Sequence, residues 1–229
     1  MATVKVIEIK KRIFENNDLQ AEILRQQLKE DQTFMMNLMS SPGSGKTTLL
    51  LKTVEMLKSQ MAMGVIEADI DSAVDAQTIS STGIRVNQLH SGGMCHLDAG
   101  MAKIGLDDIG SKDLDFVVIE NIGNLICPAG YDLGQSLKAM ILSVPEGDDK
   151  PLKYPKMFAN VDVLLISKID ACSIFHFDFE AVHERVKALN PDIKMFKVSA
   201  VTGEGMDDWC QYLKDQVIQW KENGEASNG

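Results

Sequence analysis

The chain has 229 residues, 45% of them hydrophobic, and a formal charge of −10 from 33 acidic and 23 basic side chains. That length suits one α/β domain with a sizeable core, and the acidic balance argues against general nucleic-acid binding. No run of about 18 apolar residues occurs and the first residues carry no leader pattern, so a soluble cytoplasmic protein with no membrane span is the expectation.

Residues 18–29 read as an amphipathic helix, with Asn17 as N-cap and Ala21, Leu24 and Leu28 on one face. Phe34 to Met39 is an apolar strand, and Leu49 to Leu57 is apolar-periodic. Met63 to Asp69 reads as a strand ending in acid, residues 72–80 as a helix and residues 84–89 as a short alternating strand. A helix is expected from His96 to Ile104. Strands follow at Asp115–Glu120, Ala139–Val144 and Val161–Ser167, with Pro145 to Pro155 as a polar loop. Residues 179–189 read as a helix, Ile193 to Val198 as the last strand, and Met206 to Trp220 as the last helix, with Trp209, Leu213, Val217 and Trp220 inward. Apolar strands alternating with helices imply a mostly parallel sheet covered on both faces. No linker divides the chain, so a single domain over 1–229 is expected, with a frayed tail at 222–229.

Ser40-Ser41-Pro42-Gly43-Ser44-Gly45-Lys46-Thr47-Thr48 lies between the first strand and the helix at 49–57. Strand, glycine-rich loop and Lys-Thr at a helix start form a phosphate-binding P-loop. Gly43 and Gly45 let the backbone turn tightly, and the N–H groups around Ser44 point at phosphate oxygens. The helix N-terminus adds positive dipole. Lys46 is placed to reach the β- and γ-phosphates and Thr47 to offer its hydroxyl to Mg²⁺. The general pattern has Gly where this chain has Ser40.

Three more segments follow buried strands, where ligands bind in such sheets. Glu120-Asn121-Ile122-Gly123 suits a switch that senses Mg²⁺ and γ-phosphate. In Ser167-Lys168-Ile169-Asp170, the carboxylate of Asp170 can accept two hydrogen bonds from guanine, a pair that adenine lacks, and Lys168 lies along the base. Ser199-Ala200-Val201-Thr202-Gly203 can donate backbone N–H groups to guanine O6. In this order they favour GTP over ATP, with Ser167 a short substitute for the usual Asn or Thr.

The four cysteines, Cys95, Cys127, Cys172 and Cys210, form no C-x-x-C pair. Cys95 and His96 stand side by side, and Cys127 follows Gly123 by four residues. Thiolate and imidazole suit Zn²⁺ or Ni²⁺; on spacing alone, packing and helix capping explain the same three residues. Three ligands leave a four-coordinate metal incomplete, so water or a second chain must complete it. Cys172 and Cys210 read as spectator thiols, His90 as a candidate outer ligand, and His176 and His183 as surface residues.

The P-loop, Cys95-His96-Leu97-Asp98-Ala99, Glu120 to Pro128 and Glu146 to Pro155 together resemble the HypB family of GTPases, which help insert nickel into [NiFe] hydrogenase. The similarity runs from about residue 30 to 220. The resemblance implies an α/β P-loop fold of the SIMIBI class and a slow, Mg²⁺-dependent GTPase that turns GTP into GDP. It implies dimerisation with GTP, and action with a zinc-containing HypA-like nickel chaperone on the hydrogenase large-subunit precursor. By position, Lys46, Thr47 and Asp170 serve the nucleotide and Cys95, His96 and Cys127 the metal. Asp69 and Asp75 are candidates for Mg²⁺ or water positioning, and Lys153 for reaching nucleotide across a dimer. A C2 dimer is expected to set each Cys95 patch against its twin. Some members carry an N-terminal cysteine motif or a histidine-rich nickel store. Met1 to Lys5 hold no cysteine and the chain has four histidines, so tight or multi-ion nickel storage is not expected. The alternative is a related P-loop GTPase serving another metalloenzyme, of urease or cobalamin type.

Overall fold

The computed structural model describes residues 9–69 and 74–225. Seven strands form one parallel sheet in the order β3-β2-β4-β1-β5-β6-β7. They are β1 (Phe34–Ser40), β2 (Met63–Asp69), β3 (Arg85–His90), β4 (Phe116–Glu120), β5 (Leu137–Ser143), β6 (Val163–Ser167) and β7 (Lys194–Lys197). The helices are α1 (Ile9–Glu30), α2 (Lys46–Leu57), α3 (Val74–Ser80), α4 (Ala99–Ile109), α5 (Lys150–Lys153), α6 (Pro155–Ala159), α7 (Phe179–Leu189) and α8 (Met206–Glu225).

β1 is apolar on both faces because it is central, hydrogen-bonded to β4 on one side and β5 on the other. Its side chains alternate between two cores. Met36 and Leu38 pack with Leu50 and Val54 of α2 and with Trp209 and Leu213 of α8. Met35 points to the opposite face, among Leu24 and Leu28 of α1 and Leu106 of α4. On that second face, Met39 joins Met157 and Phe158 of α6 and Val182 of α7.

Four expectations change. The first helix begins at Ile9 among the described residues, not near 18, so Asn17 is not its N-cap. Asn17 is buried inside the helix, in phase with Ala21, Leu24 and Leu28. The helix expected at 96–104 runs instead from Ala99 to Ile109. Asp98 caps it by accepting from the Met101 amide at 2.8 Å, and Gly110, at φ 70°, closes it. The loop at 145–155 is largely helical. Ser143 and Glu146 form a capping box around a 3-10 turn, then α5 and α6 each open with a proline in the first turn. The last helix continues to Glu225, so residues 222–225 are helical; 226–229 lie outside the described residues. Among the described residues no helix is long and apolar enough to cross a membrane.

Candidate nucleotide and metal site

β1 delivers the chain at Ser40 to a tight loop, and α2 begins six residues later at Lys46. Within the loop only Gly43 (φ 75°) and Gly45 (φ 94°) take the left-handed conformation. Ser40 ends the strand and has no such need. It is fully buried; its hydroxyl receives hydrogen bonds from Ser44 Oγ at 2.5 Å and Lys46 Nζ at 3.1 Å and donates to the Ser41 carbonyl at 2.7 Å. The departure from the general motif therefore holds the lysine over the loop.

The loop forms one wall of a cleft of about 570 Å³ at the C-terminal end of the sheet. Gly43, Gly45, Lys46, Thr47 and Thr48 line it, with Asp75 at the start of α3, Glu67 of β2, Glu120 of β4 and the segment that follows β4. Thr47 Oγ1 donates to Glu120 Oε1 at 2.7 Å. Glu67 and Glu120 stand directly opposite in neighbouring strands, and both are buried. Burial lowers the pKa of Lys46, while Glu120, Asp75, Glu67 and Glu146 pull it back up. Lys46 thus stands among four carboxylates in a site shaped for phosphate, an excess of negative charge that a divalent cation offsets. Hydroxyl and carboxylate oxygens are the donors that Mg²⁺ takes, so the residues present fit it. Asp69 lies in β2 opposite His90. Ser44 is buried, and its carbonyl accepts from Ser167 Oγ at 3.0 Å.

On the other side of the loop, Lys168 opens the turn after β6 in the left-handed conformation, at φ 57°. Its Nζ donates to the Gly43 carbonyl at 2.7 Å and its stem lies against Gly45. Asp170 accepts from Ser199 Oγ at 2.5 Å, and the same oxygen receives the Thr202 amide at 3.1 Å. Asp170 and the Ser199-Ala200 turn are therefore held together, although of this corner only Lys168 lines the main cleft. Lys153 is exposed and ion-paired with Asp149 at 2.5 Å, away from the cleft wall of its own chain.

The metal candidates meet. One ligand atom each of Cys95, His96 and Cys127 lies within 4.8 Å of the others, and the two sulfurs are 2.9 Å apart as free thiols. The neighbouring Cys95 sulfur and partial burial raise the Cys127 thiol pKa above the ordinary range. Burial lowers that of His96, against the pull of Asp98, which favours the neutral imidazole that a metal binds. The His96 ring stacks on Tyr131 with centroids 3.9 Å apart. Asn124 straps the two segments together: its Nδ2 donates to the Cys95 carbonyl at 3.3 Å, and its Oδ1 accepts the Ile126 amide at 2.8 Å. His90, at the exposed end of β3, is not in the group.

The cleft and the thiols share one segment. Glu120 to Gly123 line the cleft, and Cys127 follows within four residues. Gly123 presses on the P-loop so closely that a Cβ there would stand 3.0 Å from Pro42 N and Cγ. Sequence reading missed Glu67, Asn124 and Tyr131. Glu67 had a usable signal, since it is an acid near the C-terminal end of an apolar strand, where ligands bind in such sheets.

A glycine-rich loop leaving the central strand of a parallel sheet for a Lys-Thr helix start, with carboxylates from the flanking strands, defines a P-loop nucleotide-binding protein of the α/β class. The family model for the CobW/HypB/UreG nucleotide-binding domain matches residues 34–197. The hydrogenase maturation factor HypB of Azotobacter chroococcum mcd 1 is 43% identical over 212 residues, covering 93% of this chain and 70% of its own length. Its namesake in Escherichia coli (strain K12) is 40% identical over 216 residues, covering 94% and 74%. A crystal structure of HypB from Helicobacter pylori in complex with nickel matches with a TM-score of 0.84 at 36% identity, covering 89% of this chain and 96% of that one. The chain belongs to the HypB family. The urease-type and cobalamin-type alternative is not favoured.

Proposed function

We propose that this protein is a GTP-hydrolysing nickel carrier that assists metal insertion into a hydrogenase large-subunit precursor, with nucleotide state coupled to metal binding and to dimerisation. The observation that carries this reading is the continuous segment from Glu120 to Cys127, one end of which lines the cleft beside the P-loop while the other brings the Cys127 thiol to Cys95 and His96. A HypB of the same fold is known in complex with nickel.

In this reading the backbone N–H groups from Gly43 to Thr47 and the N-terminus of α2 cradle the phosphates. Lys46, held by Ser40, neutralises charge on the transferring group. Thr47 and Glu120, with Glu67 beside them, would hold Mg²⁺, which would supply electrostatic stabilisation of the phosphate charge. Asp69 and Asp75 position water, and Asp170 with the Ser199-Ala200 turn reads guanine. Nickel, or Zn²⁺ in its place, is cargo for Cys95, His96 and Cys127. These three leave coordination positions that a second copy fills in the GTP-bound dimer, where Lys153 reaches across. A zinc-containing HypA-like chaperone supplies or receives the nickel, in the cytoplasm.

The test is a Ni²⁺ titration of chelated, reduced protein, first with GDP and then with a non-hydrolysable GTP analogue, following thiolate-to-nickel absorbance and molecular mass together. The expected result is that the analogue changes both affinity and mass, and that Cys95→Ala removes the absorbance. A metal signal indifferent to nucleotide sinks the coupling, and a protein that stays monomeric with analogue and metal sinks the dimer.

A further inference from the structure

Asn17 occupies a place where the helical pattern calls for an apolar side chain. It precedes Ala21, Leu24 and Leu28 on the inner stripe of α1 and is only 4% exposed. A buried amide in such a stripe is costly unless its hydrogen-bonding groups are used. Both are. Nδ2 donates to the Asp132 carbonyl at 2.9 Å, and Oδ1 accepts the Ala99 amide at 2.9 Å.

These two partners lie on the two segments that fix His96. Ala99 opens α4 three residues after His96, next to the capping Asp98. Asp132 adjoins Tyr131, whose ring stacks on the imidazole. α1 grips the second segment at two further points. Arg25 Nη2 donates to both oxygens of the Asp132 carboxylate, at 2.8 and 2.6 Å. Gly134, at φ 78°, lies so close that a Cβ would stand 2.7 Å from the Ala21 carbonyl. The thiols have a separate support in Asn124, which holds Cys95 and the Cys127 segment to each other.

We propose that Asn17 is a positioning residue for the metal site: by holding Ala99 and Asp132 in one clamp, it fixes the imidazole of His96 against the two sulfurs, so that the seating of α1 sets the affinity for nickel. This rests on the reading of Cys95, His96 and Cys127 as the nickel ligands. Groups that orient a ligand from behind commonly change metal affinity by about 10–100-fold when removed.

The experiment compares wild type with Asn17→Leu, which fills the volume and keeps an apolar stripe but leaves the Ala99 amide and Asp132 carbonyl without their partner. Nickel affinity is measured by competition with a chelator, imidazole ligation by X-ray absorption at the nickel edge, and GDP affinity and thermal melting on the same samples. The expected result is an approximately 10-fold loss of nickel affinity with weakened imidazole scattering and unchanged GDP affinity. In a His96→Ala background, the same substitution should cost less than twofold. Nickel affinity within twofold of wild type in a folded Asn17→Leu protein overturns the proposal, as does an equal loss with and without His96. Should Asn17→Leu fail to fold, Asn17→Ser is measured against the same criteria. If wild type itself binds no nickel, or Cys95→Ala binds it equally well, the ligand reading fails instead, and the two failures are distinct.

Discussion

Gly123→Ala tests whether the cleft and the metal segment move as one. The backbone at Gly123 lies outside the left-handed region, so alanine meets no conformational penalty and the effect is steric. Its Cβ would stand 3.0 Å from Pro42 N, 3.0 Å from Pro42 Cγ and 3.1 Å from Pro42 Cα. The P-loop proline cannot rotate away, so the two segments must part by a few tenths of an ångström. Overpacking of this kind costs about 1–3 kcal/mol. Both segments line the same cleft, so part of that cost appears as weaker nucleotide binding; about 1.4 kcal/mol is a tenfold loss. The assay is calorimetric titration with GDP and with a GTP analogue, followed by nickel competition on each complex. The expected result is weaker binding of both nucleotides and a smaller difference in nickel affinity between the two states. Unchanged nucleotide affinity, with the nickel difference intact, would refute the reasoning.

Thr53→Val should destabilise by about 1–3 kcal/mol in urea unfolding, because it removes the acceptor, 3.2 Å away, of the Trp209 indole N–H, in a pair that is 1% exposed at each end. Trp209→Phe in that background should then cost less than it does alone. Burial raises the pKa of Asp132, but the Gly134 amide and the Arg25 guanidinium outweigh it and leave it below the usual carboxylate value. A depressed folded pKa stabilises above the unfolded value, about 3.9, and the contribution vanishes as pH falls through the folded one. Asp132→Asn should therefore lower the melting temperature at pH 7 and converge with wild type in strong acid. Burial pushes the Cys210 thiol up to about 11, so in a maleimide time course on native protein Cys210 should label only on unfolding, and the exposed Cys172 at once.

Where local chemistry decides, the sequence was readable. Gly43 and Gly45 at positive φ and Lys46 at the helix start follow from residue type and spacing, whereas the grouping of Cys95, His96 and Cys127 rested on the family resemblance, since spacing alone left packing and capping open. What escaped depends on partners distant in sequence. Asn17 looked like a cap because polar residues at helix starts usually are, yet its partners are 82 and 115 residues away. Ser40 looked like a lost glycine until its hydroxyl was seen to support Lys46. The stretch 145–155 looked like a loop because Pro, Gly and Asp dominate it, although two of its prolines sit in first helical turns, where proline is favoured.

Lys168 joins the phosphate loop to the turn that carries Asp170 through one torsion. A non-glycine residue in the left-handed region costs on the order of 1 kcal/mol, and its neighbours must supply that energy. On one side its amine is anchored to the Gly43 carbonyl of the phosphate loop; on the other its backbone launches the turn that carries Asp170. If Asp170 reads guanine as proposed, a base seated against it helps to hold this bend, and the bend steadies the phosphate loop. In that reading a base that seats badly loosens the grip, and discrimination among nucleotides reaches their phosphate end as well as the ring.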